Sequence, residues 1–257
     1  MDEKYRALIK NEFISCVKGT ISRMKKGDTN RPFHEALLSK DVILWSRFER
    51  SFSTSFGQKS IEEISRLAAL SGGASDAKRQ KNTVFEIDTG VLAAINNVNA
   101  DRKNKHPNWN ESLRYVETAT RSGIMMEISV ISDLWWKKDG VDNYMSIKTV
   151  QPNIDQTSIA KEHCLKLKVN DNRCNVFFGL YYNPYGDERE DYCFSPPMSV
   201  FDMHLDPVVL IGEDYWDTLG GPGFYEELLD LAESVGDETK AMLSGYSEGQ
   251  TNLGRFD

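Results

Sequence analysis

The stretch SDLWWKKDGVDNYMSIKT, residues 132–149, decides how the rest of this chain is read. Leu134-Trp135-Trp136 is an apolar run, and Tyr144-Met145-Ser146-Ile147-Lys148 is a second one. Between them lies Lys137-Lys138-Asp139-Gly140. An Asp-Gly pair between two apolar runs is a strong hairpin signal, so the spacing predicts a β-hairpin. Strand alternation places Tyr144, Ser146 and Lys148 on one face and Met145, Ile147 and Thr149 on the other. A lysine at the end of an otherwise core-like strand needs a counter-charge. The most economical one is the carboxylate of Asp133, at the entrance of the first strand.

An acid at the start of one strand and a lysine on the next resembles the PD-(D/E)XK nuclease superfamily, which includes many type II restriction endonucleases. Asp133 matches the first acid, with Ser132 where proline often sits, and Lys148 matches the lysine. Ser146 stands at the position of the second acid, a departure from the family pattern. Some restriction enzymes of this superfamily carry serine there and supply the acid from the following helix, with thirteen residues between it and the lysine; here that position is Glu162. The flanking segments IKTVQPNIDQT (147–157) and FGLYYNPYG (178–186) resemble the TdeIII/MjaII group of restriction enzymes. The superfamily resemblance covers roughly residues 110–235.

The resemblance implies Mg²⁺-dependent hydrolysis of double-stranded DNA at a short palindrome by a homodimer. The narrower group implies a target like GGNCC. Phosphodiester hydrolysis needs an activated water, charge neutralisation and help for the leaving oxygen, all of which Mg²⁺ ions can supply. Asp133 would anchor the metal, the carbonyl of Ile147 would be a second ligand, and Glu162 or Glu127 would supply the missing acid. Lys148 would hold the attacking water and stabilise the developing charge, and Ser146 would orient a water. Two alternatives stay open: a degenerate protein that binds DNA without cutting, and a structure-specific repair nuclease.

The 257 residues are 40% hydrophobic and 27% charged, ordinary for a globular chain that buries a sizeable core. No run of eighteen apolar residues and no signal-like N-terminus occur, so the expectation is a cytoplasmic protein without a membrane span. Four scattered cysteines, Cys16, Cys164, Cys174 and Cys193, show no zinc-ligand spacing. The net charge of −8 is unevenly spread. Residues 1–110 carry 19 Lys and Arg against 13 Asp and Glu, and residues 171–257 carry 4 against 18. Phosphate contacts depend on the local field, so a net-positive N-terminal part can meet DNA.

Residues 1–110 are expected to be mainly helical, a DNA-binding and dimerisation region. Tyr5, Leu8, Ile9, Phe13, Cys16 and Val17 form a helical stripe, Ser60–Leu70 is a capped helix, and Thr89–Val98 another. Basic loops are expected between them; Lys78, Arg79 and Lys81, and Arg102, Lys103 and Lys105, are candidates for DNA contact. Residues 111–257 are expected to form the nuclease core with an acidic C-terminal region. A helix over 111–131 would carry Glu127 on its buried face, with Leu113, Val116, Ile124 and Ile131. A helix capped at Asn153 or Asp155 would run to about Lys168 and turn Gln156, Ile159, Ala160, His163 and Leu167 inward. Gln156 would then adjoin Lys148, and Glu162 would sit at the margin of that face. Buried strands follow at 175–182 and 207–212, a helix near 214–218 and another from Phe224 to Ser234, with a frayed end. The order fits an α/β fold: a central mixed β-sheet flanked by helices, a restriction-endonuclease-like core.

Overall fold

The hairpin expected at 132–149 is present, and it is the centre of a longer sheet. The computed structural model describes residues 1–24, 30–100 and 108–253. In chain order these form α1 (Glu3–Met24), α2 (Pro32–Leu37), α3 (Lys40–Ser55), a π-helical turn (Phe56–Ser60), α4 (Ile61–Ser71) and β1 (Asp76–Asp88). Then come α5 (Thr89–Ala100), α6 (Trp109–Glu117), β2 (Met125–Lys138), β3 (Val141–Lys148), α7 (Ile154–Asn170) and β4 (Asn175–Leu180). The chain ends with α8 (Ser195–Met198), β5 (Val209–Ile211), α9 (Glu213–Gly220) and α10 (Phe224–Leu253).

The five strands lie in the order β1-β2-β3-β4-β5. β1–β2 and β2–β3 are antiparallel, while β3–β4 and β4–β5 are parallel. Asp139 (φ 52) and Gly140 (φ 78) form the two-residue turn between β2 and β3, with Lys138 paired to Val141. Two successive positive φ values are what a type I′ hairpin turn demands. The parallel half of the sheet is apolar and covered on both faces. On one face Val176, Phe178, Leu180, Val209 and Ile211 join a cluster with Val91 and Ile95 of α5, Val116 of α6, and Ala160, Cys164 and Leu165 of α7. On the other, Phe177 stacks on Trp136, and Gly179 lies so close to Tyr215 of α9 and Met145 that a β-carbon there would meet the Tyr215 ring at 2.6 Å.

The chain separates into two compact units, residues 65–225 and residues 1–64 with 226–257. The sheet belongs wholly to the first. In the second, α1 and α3 pack through stacked rings: Phe13 on Phe56, Phe52 on Phe56, and Phe48 on Phe52. Arg23 of α1 donates to Ser51 and Ser55 of α3, and the N-terminal ammonium pairs with Glu227 of α10 at 2.6 Å. All four cysteines are free thiols.

Several expectations are corrected. Among the described residues, 1–110 are mainly helical, as expected, but the stretch around Lys78, Arg79 and Lys81, expected as a loop, is edge strand β1. The helix expected over 111–131 is short α6, followed by strand β2. Gly123 turns the chain with φ 77, and the β-branched and apolar residues after it pair with β1. The helical stripe there was a coincidence of spacing. The C-terminal helix, expected to stop at Ser234, runs on to Leu253.

Candidate active site

Register and alternation build the site. The β2–β3 ladder runs from the turn to Leu134 opposite Met145, so Asp133 faces Ser146 one step beyond it. There the Ile147 amide donates 2.8 Å to Asp133 Oδ2. The same oxygen accepts from Lys148 Nζ at 2.9 Å and from Ser146 Oγ at 3.3 Å. Lys148 Nζ also donates to the Ile147 carbonyl at 3.2 Å. The two charged side chains are 22% and 20% exposed, enough for one side of the pair to reach solvent. On β1, Gln80 donates to the second oxygen, Asp133 Oδ1, at 3.4 Å.

The remaining residues singled out from the sequence fall at graded distances from this centre. Glu162 lies on α7 with its carboxylate bound by Lys166 one turn on. Its neighbour His163 is close enough to feel the charges of both Lys148 and Asp133. Burial, reinforced by the Lys166 charge, holds the His163 imidazole below its ordinary pKa. Gln156 does not turn inward: it is exposed, and its side chain accepts from the Asn153 amide in the capping box of α7. The buried residues of α7 include Thr157, Ala160, Lys161, Cys164 and Leu165, while Ile159 is 52% exposed. Of the residues expected to face inward, Ala160 and Leu167 are buried and His163 is half-buried, whereas Gln156 and Ile159 are exposed; the polar Thr157 and Lys161 take buried positions instead. Glu127 is also displaced. It sits exposed on β2 opposite Glu86, six residues before Asp133, a separation of about 20 Å at the rise of a strand. It cannot share a ligand with Asp133.

Lys78 and Lys81 lie on β1 with their ammonium groups 5.5 and 5.3 Å from the Trp135 ring, and Arg79 is exposed between them. Arg102, Lys103 and Lys105 lie outside the described residues. Gln80 was missed from sequence as a site residue, because KRQK reads as a polar loop. The signal that marks the strand is further on, in the β-branched and aromatic run Thr83-Val84-Phe85-Glu86-Ile87.

The donors present are those of a hard cation: the Asp133 carboxylate, the Ile147 carbonyl and the Ser146 hydroxyl. Among the described residues no group of three His, Cys, Asp or Glu could hold a metal ion. The protein would thus supply one carboxylate and one carbonyl, leaving other positions to water and phosphate, a division Mg²⁺ accepts. The residues fit such an ion, and they do not fit zinc, which wants a nitrogen- and sulfur-rich set.

Residues 1–236 match the family model described as Type II restriction endonuclease, HinfI. The chain is also similar to three restriction enzymes of Herpetosiphon aurantiacus. It is 31% identical to type II restriction enzyme HgiEI, over 90% of this chain and 86% of that protein. It is 31% identical to HgiBI, over 84% and 80%, and 30% identical to HgiCII, over 80% and 77%. No solved structure matches the chain.

Proposed function

The chain belongs to the HinfI family of type II restriction endonucleases, and from that premise we propose that Asp133 and Lys148 form its catalytic centre, of the PD-(D/E)XK kind. The supporting observation is the convergence of Lys148 Nζ, the Ile147 amide and Ser146 Oγ on the single oxygen Asp133 Oδ2. A carboxylate and an ammonium in contact at a sheet end, partly open to solvent, suit work on a phosphodiester.

The reaction adds water across a P–O bond: the water oxygen bonds to phosphorus, the bridging oxygen leaves, and the leaving oxygen takes up a proton. Asp133 and the Ile147 carbonyl would hold Mg²⁺, which supplies positive charge to the phosphate and acidity to a bound water. Lys148 positions the attacking water beside the scissile phosphate and stabilises the negative charge that builds on its oxygens. Ser146 orients a second water. Glu162, paired with Lys166 on α7, would supply the acid that position 146 lacks. Lys78, Arg79 and Lys81 on β1 contact phosphates flanking the cut. Two copies of the chain, related by a two-fold axis, match the symmetry of a short palindrome in cytoplasmic double-stranded DNA. The likeness of 147–157 and 178–186 to the TdeIII/MjaII group makes an interrupted palindrome like GGNCC the target to test first.

The test is digestion of plasmid DNA with Mg²⁺ by the wild type, Asp133→Ala and Lys148→Ala. Discrete fragments that both substitutions abolish are expected. Retarded but uncut DNA with the wild type would show binding without hydrolysis. Cutting without fixed ends would indicate a structure-specific nuclease. Mapping the ends gives the site.

A further inference from the structure

Gln80 adopts a backbone conformation that its position in the strand does not require. Among the described residues two that are not glycine have positive φ: Asp139, in the hairpin turn, and Gln80, at φ 49. Left-handed backbone is disfavoured for any residue with a β-carbon and is rare outside turns. No turn occurs at Gln80. Arg79 pairs with Leu134 and Lys81 with Ser132 on either side of it, so β1 keeps its register across the one step, Gln80 opposite Asp133, at which the two strands do not pair.

The consequence of that conformation lies at the candidate active site. Local distortion of a strand re-aims a side chain, and such distortions concentrate beside active sites. Here the carboxamide reaches Asp133 Oδ1, the oxygen that Lys148, Ile147 and Ser146 leave to other donors. The terminal torsion of an aspartate is broad and nearly two-fold, so donors on one oxygen alone define it loosely. A donor on the second oxygen narrows it. Lys78 and Lys81, on either side of Gln80 and three positions apart, both place their ammonium groups by the Trp135 ring.

We infer that Gln80 is a positioning residue for DNA hydrolysis, holding Asp133 Oδ1 so that Oδ2 stays turned toward Lys148 and the Ile147 amide. The inference rests on the assignment of Asp133 as catalytic. It makes Gln80 a case in which strand geometry is sacrificed to fix a carboxylate.

Gln80→Gly tests it, because glycine removes the carboxamide while relieving the backbone. Tm, kcat and KM on a plasmid carrying the site, and DNA affinity without Mg²⁺, would be measured beside Asp133→Ala. The expected result is a Tm equal to or above that of the wild type, a kcat lower by roughly 10- to 100-fold, and KM and affinity within about twofold. Gln80→Asn, which tolerates the same backbone but falls a methylene short of Oδ1, should lose kcat similarly. An unchanged kcat in Gln80→Gly overturns the inference while leaving the Asp133–Lys148 centre standing. A lower Tm overturns it in favour of a structural role. A raised KM at constant kcat overturns it in favour of DNA contact. Full cleavage by Asp133→Ala removes the catalytic assignment beneath it, a separate failure.

Discussion

Three donors meet on Asp133 Oδ2, and their losses differ in kind. Ser146 donates from an uncharged hydroxyl to the carboxylate over a long 3.3 Å, a contact worth about 1 kcal/mol, so Ser146→Ala should lower kcat by about tenfold at most. Lys148 contributes a compact charge with rotatable donors. Lys148→Arg replaces it with a planar fork that cannot take the same place, and a loss of roughly 100-fold or more in kcat is expected. Steady-state cleavage rates separate the two; equal losses would mean that the ammonium has no special role. Far from this pair, Asp88 gathers the amides of Gly90, Val91, Ser122 and Gly123 at the start of α5, and the backbone donors hold its carboxyl down to about 2. Its ordinary value is 3.8, so the stabilisation is complete above about pH 4 and disappears as the pH falls toward 2. Asp88→Asn should therefore lower Tm at pH 7, and the gap from the wild type should narrow at pH 3. In buried Lys161 the fold disfavours the charged form instead. Burial pushes it to about 8 from 10.5, against the restoring charge of Asp206. The unfolded chain binds that proton more tightly, so this group adds stability as pH rises from about 8 to 10.5. Lys161→Met should remove that rise from a plot of Tm against pH. These two buried charges were not singled out from the sequence, since nothing local marks an aspartate or lysine that tertiary packing will enclose.

At the scale of elements, local chemistry and long-range pairing divide the outcome. The hairpin was legible because its determinant is two adjacent residues, Asp139 and Gly140, whose backbone suits one turn type. Gly140→Ala should cost about 1–2 kcal/mol of stability by chemical denaturation, with cleavage at low temperature retained. The start of α7 was legible too, since Asn153 was named as a cap and its side chain accepts from the Gln156 amide at 2.8 Å. β1 and the first half of β2 were not. Their residues pair across long separations in the chain, from 37 positions between Asp88 and Met125 to 61 between Asp76 and Lys137. The exposed stretches Lys78–Lys81 and Met125–Glu127 carry no buried face to impose a period of two. Where β4 meets β3 and α9, the packing leaves no room: Gly179→Ala would push a methyl into the Tyr215 ring and Met145, and a loss of about 1–3 kcal/mol is expected.

For the molecule as a whole, the charge runs seen along the chain are redistributed by folding. The acidic segment 226–257, with 2 basic and 8 acidic residues, joins 1–64, with 12 and 9, in one compact unit. The other unit, 65–225, carries 17 and 22, so the two units end at net −3 and −5. A local field on β1, rather than a basic half of the chain, is then the proposed means of meeting phosphate. Lys78→Ala and Lys81→Ala should each reduce the slope of log affinity for DNA against log salt by about 1, without sequence preference. Unchanged slopes would place the DNA elsewhere. The sequence by itself determined the hairpin, the facing acid and lysine and the α/β class, because turn chemistry and alternation act over a few residues. Only the tertiary structure decided that Gln80 stands beside Asp133, that Glu127 does not, and that Gln156 and Ile159 lie outside the buried face of α7. Those outcomes depend on strand register and helix phase, which contacts between distant segments select.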